Sequence, residues 1–167
     1  ILFSFKKILK NFPKAKFYII GDGPEFPRIK NFIKKLELNN SVTLYGSRNS
    51  DFVWKKMAEC WVFVQHSCTS NRGDQEGFSV GILEASFCGL PVISTIHNGI
   101  PENIIEGKTG FLVQEHDYSS FALKMEKLLN DKTLRQSIGK AGELNVRKKY
   151  FIEKRGMNIL NILKQSI

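Results

Sequence analysis

Five short apolar runs alternate with stretches of helical spacing, and this order constrains the fold of the 167-residue chain more than any other feature. The runs are "KFYIIGDGP" (apolar from Phe17 to Ile20), "SVTLYG", "WVFVQHS" (Trp61 to Val64), "LPVIST" and "GFLVQE". Several close on glycine, proline or small polar residues, as strands entering turns do. Between them, "PEFPRIKNFIKKLEL" places Ile29, Phe32, Ile33 and Leu36 at helical intervals. "SDFVWKKMAEC" reads as a helix with Ser50 or Asp51 as N-cap, and "SVGILEASFCG" as a helix ending at Gly89. "IPENIIEG" is a short helix with Pro101 suited to its first turn. Three more helices follow in "DYSSFALKMEKLLN", "DKTLRQSIGKAGELNVRKKY" and "FIEKRGMNILNILKQ".

Strand and helix in alternation imply a parallel sheet covered on both faces. Continuous apolar strands such as "WVFV" suit that arrangement better than half-exposed strands would. The expected fold class is α/β, a single Rossmann-like domain. Such sheets bind ligands at the carboxyl ends of their strands. The loops to search are therefore "GDGP", "GSRNS", "HSCTSNRGDQEGFS" and "TIHNGIP".

The chain carries 25 Lys and Arg against 16 Asp and Glu, a net charge of +9. That excess suits an anionic partner, such as nucleic acid, anionic lipid or a phosphorylated substrate. The lysines are spread along solvent faces, as in "NFIKKLELNN" and "VRKKYFIEKR", so a purely solubilising role stays open. The longest apolar runs fall far short of the roughly 20 residues a membrane helix requires. Cys60, Cys68 and Cys88 lack C-x-x-C spacing and are expected to be buried free thiols. The chain opens "ILFSFKKILKNFP" with a helical pattern already under way, so it is expected to be a piece of a longer protein.

"GDGPEF" has two glycines of a dinucleotide fingerprint, Gly21 and Gly23, but Phe26 stands where the third would fall. It reads either as a tight strand-to-helix turn or as a place where backbone approaches a ligand closely. The loop "HSCTSNRGDQEGFS" is long and polar, as functional loops inside compact domains often are. It ends in Gly77, Phe78, Ser79 and Val80 at a helix start, where unpaired amides and the helix dipole attract an anion. Those amides read as a phosphate cradle, or Ser79 merely caps its helix.

Glu84 lies about five positions beyond Ser79, roughly 7–8 Å along a helix. That is about the reach from a diphosphate to the ribose of a nucleotide, whose two hydroxyls a carboxylate accepts well. Its neighbours Ile82, Leu83, Ala85 and Phe87 would make an unpaired charge there costly. Glu76 precedes the same helix and reads either as a sugar-hydroxyl acceptor or as a surface acid. His66 and His97 each follow a strand and can line the cleft, but no H-x-x-x-H pair exists and no metal site is expected. "HNGIPENI" offers Gly99 as a second place of close approach, and Glu102 as a first-turn acid.

The stretch "EGFSVGILEASFCGLPVISTIHNGIPENIIEGKTGFLV" resembles the C-terminal domain of retaining GT-B glycosyltransferases of family 4. The hallmark of that family is Glu, seven residues, Glu, then Ala-x-x-x-Gly-x-Pro-Val. Glu76, Glu84, Ala85, Gly89, Pro91 and Val92 occupy those places. "IIGDGP", "VTLYG" and "GKTGFLV" resemble flanking segments, so the likeness covers nearly the whole chain. "HSCTSNRGDQEGFSVGILEA" with "STIHNGIPE" is most similar to transferases of exopolysaccharide assembly of the colanic-acid type.

The resemblance implies that residues 1–167 are the nucleotide-sugar-binding half of a two-domain, bacterial, cytoplasmic hexosyltransferase of surface polysaccharide synthesis. Its donor would be UDP- or GDP-linked, with no cofactor and no metal, the helix dipole and basic side chains offsetting the charge of the departing diphosphate. Glu76 would contact the transferred sugar as the catalytic residue, and Glu84 would hold the ribose. Gly77 and the amides of Phe78, Ser79 and Val80 would bind the diphosphate. Gly46 and Ser47 would lie near the base, with Gly21 and Gly23 on the same ligand. A phosphate-binding Arg and Lys in a "G-R-x-x-x-x-K-G" loop, the first strand, and an N-terminal domain for a saccharide or lipid-linked acceptor would all precede Ile1. The fragment alone is accordingly expected to be inactive and to bind nucleotide weakly. Peripheral contact with the inner face of the plasma membrane through the basic helices is expected, and nucleic acid is not. Two alternatives are a nucleotide-sugar epimerase of the same fold and a basic nucleic-acid- or lipid-binding module.

Overall fold

The structure, a computed structural model, describes residues 1–69, 73, 77 and 79–150. Helices and strands alternate: α1 (Leu2–Ile8), β1 (Phe17–Ile19), α2 (Phe26–Lys35), β2 (Val42–Leu44), α3 (Ser50–Glu59), β3 (Phe63–Val64), α4 (Val80–Phe87), β4 (Val92–Thr95), α5 (Ile100–Asn103), β5 (Gly110–Val113), α6 (Tyr118–Asn130) and α7 (Lys132–Tyr150). The helix expected in "FIEKRGMNILNILKQ" lies outside the described residues.

Every strand pair is parallel. β1 runs beside β2 with Phe17 opposite Val42, and β3, β4 and β5 follow in that order, with Val92 opposite both Phe63 and Gly110. The side-chain alternation of β4 and β5 shows why helices cover both faces. Ile93, Phe111 and Val113 join one core with Phe5 and Ile8 of α1 and Phe121 and Leu128 of α6. Val92 and Leu112 point the other way, into a second core with Ile82 and Ala85 of α4, Met57 of α3 and Ile100 of α5. β4 is buried along its whole length, as a strand in the middle of a doubly covered sheet must be. Full burial of a side chain such as Phe121 contributes about 2–3 kcal/mol relative to leaving it in water.

One expectation needs correction. The strands form two sheets, β1-β2 and β3-β4-β5, not one. Among the described residues β1 and β3 do not bond to each other, and each leaves an edge unpaired. Between the sheets runs a groove of about 1340 Å³, lined by Phe17 and Ile19 on one side and Phe63 and Val64 on the other. Ile1 at the head of α1 also lines it.

Gly89 ends α4 at φ +74, with Leu90 N–H on the Ala85 carbonyl (3.0 Å) and Gly89 N–H on that of Ser86 (2.9 Å). This paired closure needs a left-handed residue that glycine supplies without strain. The cap of α3 is Asn49 rather than Ser50 or Asp51, its side chain accepting from Phe52 N–H at 3.0 Å. Trp61 is not in a strand and is 59% exposed, because the chain is still leaving α3 there. Its ring is covered instead by the Arg135 guanidinium, 4.2 Å away. The cysteines are free but not buried: Cys60 and Cys68 are half-buried and Cys88 is exposed. Among the described residues no helix is long and apolar enough to cross a membrane.

Candidate functional site

The carboxyl ends of the strands gather the loops that the sequence singled out, and hydrogen bonds tie them pairwise. Gly21 N–H donates to the Gly46 carbonyl at 2.9 Å, joining the turn after β1 to the turn after β2. Gly23 N–H is taken by the Asp22 carboxylate at 2.8 Å, so that glycine serves the turn itself. Ser47 is exposed beside it. Below the turn after β2, Lys56 of α3 sits 5.0 Å from the Tyr18 ring and 5.6 Å from the Tyr45 ring, while bonding Glu59 at 2.6 Å.

The start of α4 is built from buried polar contacts. Ser79, 2% exposed, donates its hydroxyl to Gln65 Oε1 at 2.8 Å and accepts from Ile82 N–H at 3.4 Å. The serine therefore caps its helix and also fastens the helix to the exit of β3. Val80 projects outward, and no acidic residue stands in the first turn. The first turn thus adds no acidic side chain to the positive end of the helix dipole.

Glu84 is half-buried one turn further on, between Ile82 and Ala85, which are both 0% exposed. It lines the groove and has no hydrogen-bond or ion-pair partner among the described residues. A half-buried carboxylate without a partner is costly unless something else supplies donors. The Cys88 thiol nearby, whose residue is exposed overall, is pushed up by partial desolvation and then by the Glu84 charge. Glu76 and Phe78 lie outside the described residues. Gly77 is described, and its carbonyl packs on Gly99: a Cβ added at Gly99 would stand 2.4 Å from the Gly77 oxygen. The close approach expected at Gly99 is therefore made by backbone.

The sequence reading left out the loop "QEHD" after β5, although it too follows a strand. The structure brings it into the cluster. Glu115 pairs with His97 Nδ1 at 2.7 Å through one oxygen and accepts Thr69 N–H at 3.2 Å through the other. The His97 bond, first of all, holds the Glu115 carboxyl below the usual range. Thr95 and Ser67 are joined twice: the Thr95 hydroxyl donates to the Ser67 carbonyl at 2.6 Å and accepts from Ser67 N–H at 3.0 Å. His66 accepts from His116 N–H at 3.1 Å and packs against the Phe121 ring, 6.2 Å away. Burial, chiefly, lowers its pKa. Of the three histidines, His66 and His97 are thus built into loop contacts. Among the described residues no group of His, Cys, Asp and Glu is placed to hold a metal ion.

Part of the positive charge is absorbed by the fold. Arg135 donates to the Leu128 carbonyl at 2.7 Å, Lys149 to that of Glu102 at 2.6 Å, and Arg147 bonds Glu143 at 2.8 Å while covering the Phe87 ring.

A doubly wound α/β domain with its loops gathered over the carboxyl ends of parallel strands is a ligand-binding domain of Rossmann type. The chain belongs to the glycosyl transferases group 1 family, whose model matches residues 1–145. Over 130 residues it is 34% identical to WcaL of Salmonella typhimurium, provisionally named a colanic acid biosynthesis glycosyltransferase. That match covers 77% of this chain and 32% of WcaL, so the chain spans about a third of the length of that relative. The fold superposes with a TM-score of 0.81 on TarM of Staphylococcus aureus, solved with UDP, at 25% identity, covering 95% of this chain and 31% of TarM. It superposes at 0.75 on the C-terminal domain of the group 1 glycosyl transferase LpcC of Francisella tularensis. There the identity is 25%, and 89% of this chain and 76% of that domain are covered. The fold is thus one Rossmann-like half of a GT-B transferase.

Proposed function

We propose that this chain is the nucleotide-sugar-binding domain of a retaining glycosyltransferase acting in surface polysaccharide synthesis. The observation that carries the reading is Glu84, a half-buried carboxylate without a partner among the described residues, one turn along a helix whose first turn carries no acid. A nucleoside diphosphate matches that pattern. The α4 amides and dipole, from Gly77 to Val80, take the diphosphate, and Glu84 accepts the ribose hydroxyls. Glu76 contacts the transferred sugar, and the joined turns at Gly21, Gly23, Gly46 and Ser47 flank the base. The bond from the anomeric carbon to the diphosphate breaks, one to an acceptor hydroxyl oxygen forms, and the hydroxyl proton passes to the departing diphosphate, whose charge the α4 dipole stabilises without a metal.

The named pathway of WcaL supports an exopolysaccharide product, and UDP in the TarM complex supports a uridine donor. The likeness to the LpcC C-terminal domain supports reading residues 1–167 as the C-terminal half of a longer enzyme. The open groove between β1 and β3 supports a further strand there. A saccharide or lipid-linked acceptor then binds on the partner domain, at the cytoplasmic face of the membrane.

The test uses the full-length enzyme with radiolabelled UDP- and GDP-sugars and an acceptor extract. Glu84→Ala is expected to raise the donor KM by roughly 10- to 100-fold, the loss of one or two charge-assisted hydrogen bonds. Glu76→Ala is expected to depress kcat instead. Unchanged kinetics in both variants would overturn the assignment, and conversion of the sugar without an acceptor would point to an epimerase.

A further inference from the structure

His97 and Glu115 lie on different loops, the first after β4 and the second after β5. Those strands need no help to stay together. They are bonded along four residue pairs from Val92–Gly110 to Thr95–Val113, and Ile96 N–H extends the ladder onto the Val113 carbonyl at 2.8 Å. The 2.7 Å contact between His97 and Glu115 is therefore surplus to the sheet, yet His97 is only 4% exposed. What the pair adds lies on a third loop. The second oxygen of Glu115 holds Thr69 N–H, on the chain leaving β3. Two residues beyond His97, Gly99 presses on the Gly77 carbonyl, at the other end of the same β3–α4 connection.

We propose that His97 and Glu115 act together as positioning residues for the donor site, fixing the two ends of the connection that carries Glu76. The inference rests on reading that connection as donor-binding. Glu115 sets where the chain departs from β3, through Thr69. His97 orients the Glu115 carboxylate and begins the turn that seats Gly99 on Gly77. Thr95 and Ser67 keep β3 and β4 in register just below the pair. A carboxylate shared between an imidazole and a backbone amide suits this task, because each bond restricts the direction of the other.

The test uses the full-length enzyme. His97→Ala and Glu115→Ala are each expected to lower kcat/KM for the nucleotide sugar on the order of tenfold, while the melting temperature falls by no more than a few degrees. The double variant is expected to lose no more than the worse single, since either change breaks the same link. His97→Asn, whose amide nitrogen reaches the place of Nδ1, is expected to recover most of the loss. Hydrogen exchange at Thr69 reads the link without sugar transfer and is expected to speed up on the order of tenfold in both alanine variants. Wild-type kcat/KM in His97→Ala, additive losses in the double variant, or unchanged Thr69 exchange would each overturn the proposal. If the wild-type enzyme turns over no nucleotide sugar, the donor reading fails on its own, and faster Thr69 exchange in the variants then upholds the link while unchanged exchange sinks it.

Discussion

Ser79 and Gln65 meet at 2.8 Å, hydroxyl to amide oxygen, and this one bond couples the cap of α4 to the end of β3. The same serine oxygen accepts from Ile82 N–H, so removing it unmakes two contacts in a site that is 2% exposed. Ser79→Ala is expected to cost about 1–2 kcal/mol by urea unfolding. Ser79→Thr, which keeps the oxygen, is expected to recover part of it. Equal stability of all three proteins would show that the cap contributes nothing.

Stability and donor binding should separate at Val80. It is 61% exposed at the head of α4, where no acid stands in the first turn. An aspartate there favours the helix dipole, so Val80→Asp is expected to raise stability by about 0.3–1 kcal/mol. The same charge opposes a diphosphate, so the donor KM of the full-length enzyme is expected to rise. A gain in stability with an unchanged or lower donor KM would show that the diphosphate does not sit at this helix end.

Gly99 leaves no room for a side chain, because a Cβ would stand 2.4 Å from the Gly77 oxygen. Gly99→Ala must push the two segments apart. Donor kcat/KM is expected to fall while the core, which does not include these backbones, keeps its melting temperature within a few degrees. An unaltered kcat/KM would mean that the contact has no bearing on the site.

Acid should loosen the fold through three carboxylates held below their usual range. For Glu115 the chief cause is His97, for Asp117 the Ser120 hydroxyl, and for Glu143 Lys140 and then Arg147. A group whose folded pKa is depressed binds protons more readily when unfolded. Its stabilisation is complete above the ordinary carboxylate range and fades as pH falls through the folded value. Urea midpoints are expected to drop on acidification through and below that range. Glu143→Gln should flatten the curve without changing its direction, and an identical profile for the variant would remove Glu143 from the account.

The alternation of strands and helices was legible because its signals are local. "VIST" is buried throughout, and Gly89 closes α4 by the left-handed turn its position suggested. Glu84 stood out as a carboxylate among apolar neighbours, and the structure leaves it without a partner among the described residues. What escaped the sequence depends on distant neighbours. Trp61 continues an apolar run, yet Arg135, far along the chain, covers its ring and lets it stay outside. The two-sheet arrangement is a matter of which edges meet, and no residue pattern encodes that for three-residue strands such as Phe17–Ile19 and Val42–Leu44. Glu115 carried no signal in the sequence, because its partners His97 and Thr69 are 18 and 46 positions away.

The groove between β1 and β3 also governs how this polypeptide behaves in a test tube. Two unfinished hydrogen-bond ladders face a greasy slot, and any extended peptide offered at high concentration can lodge there. Preparations of residues 1–167 alone should self-associate as concentration rises. The remedy is a backbone that completes the ladders, not a detergent or a change of salt. The assembly size measured for such a preparation would then report on the slot between the two sheets.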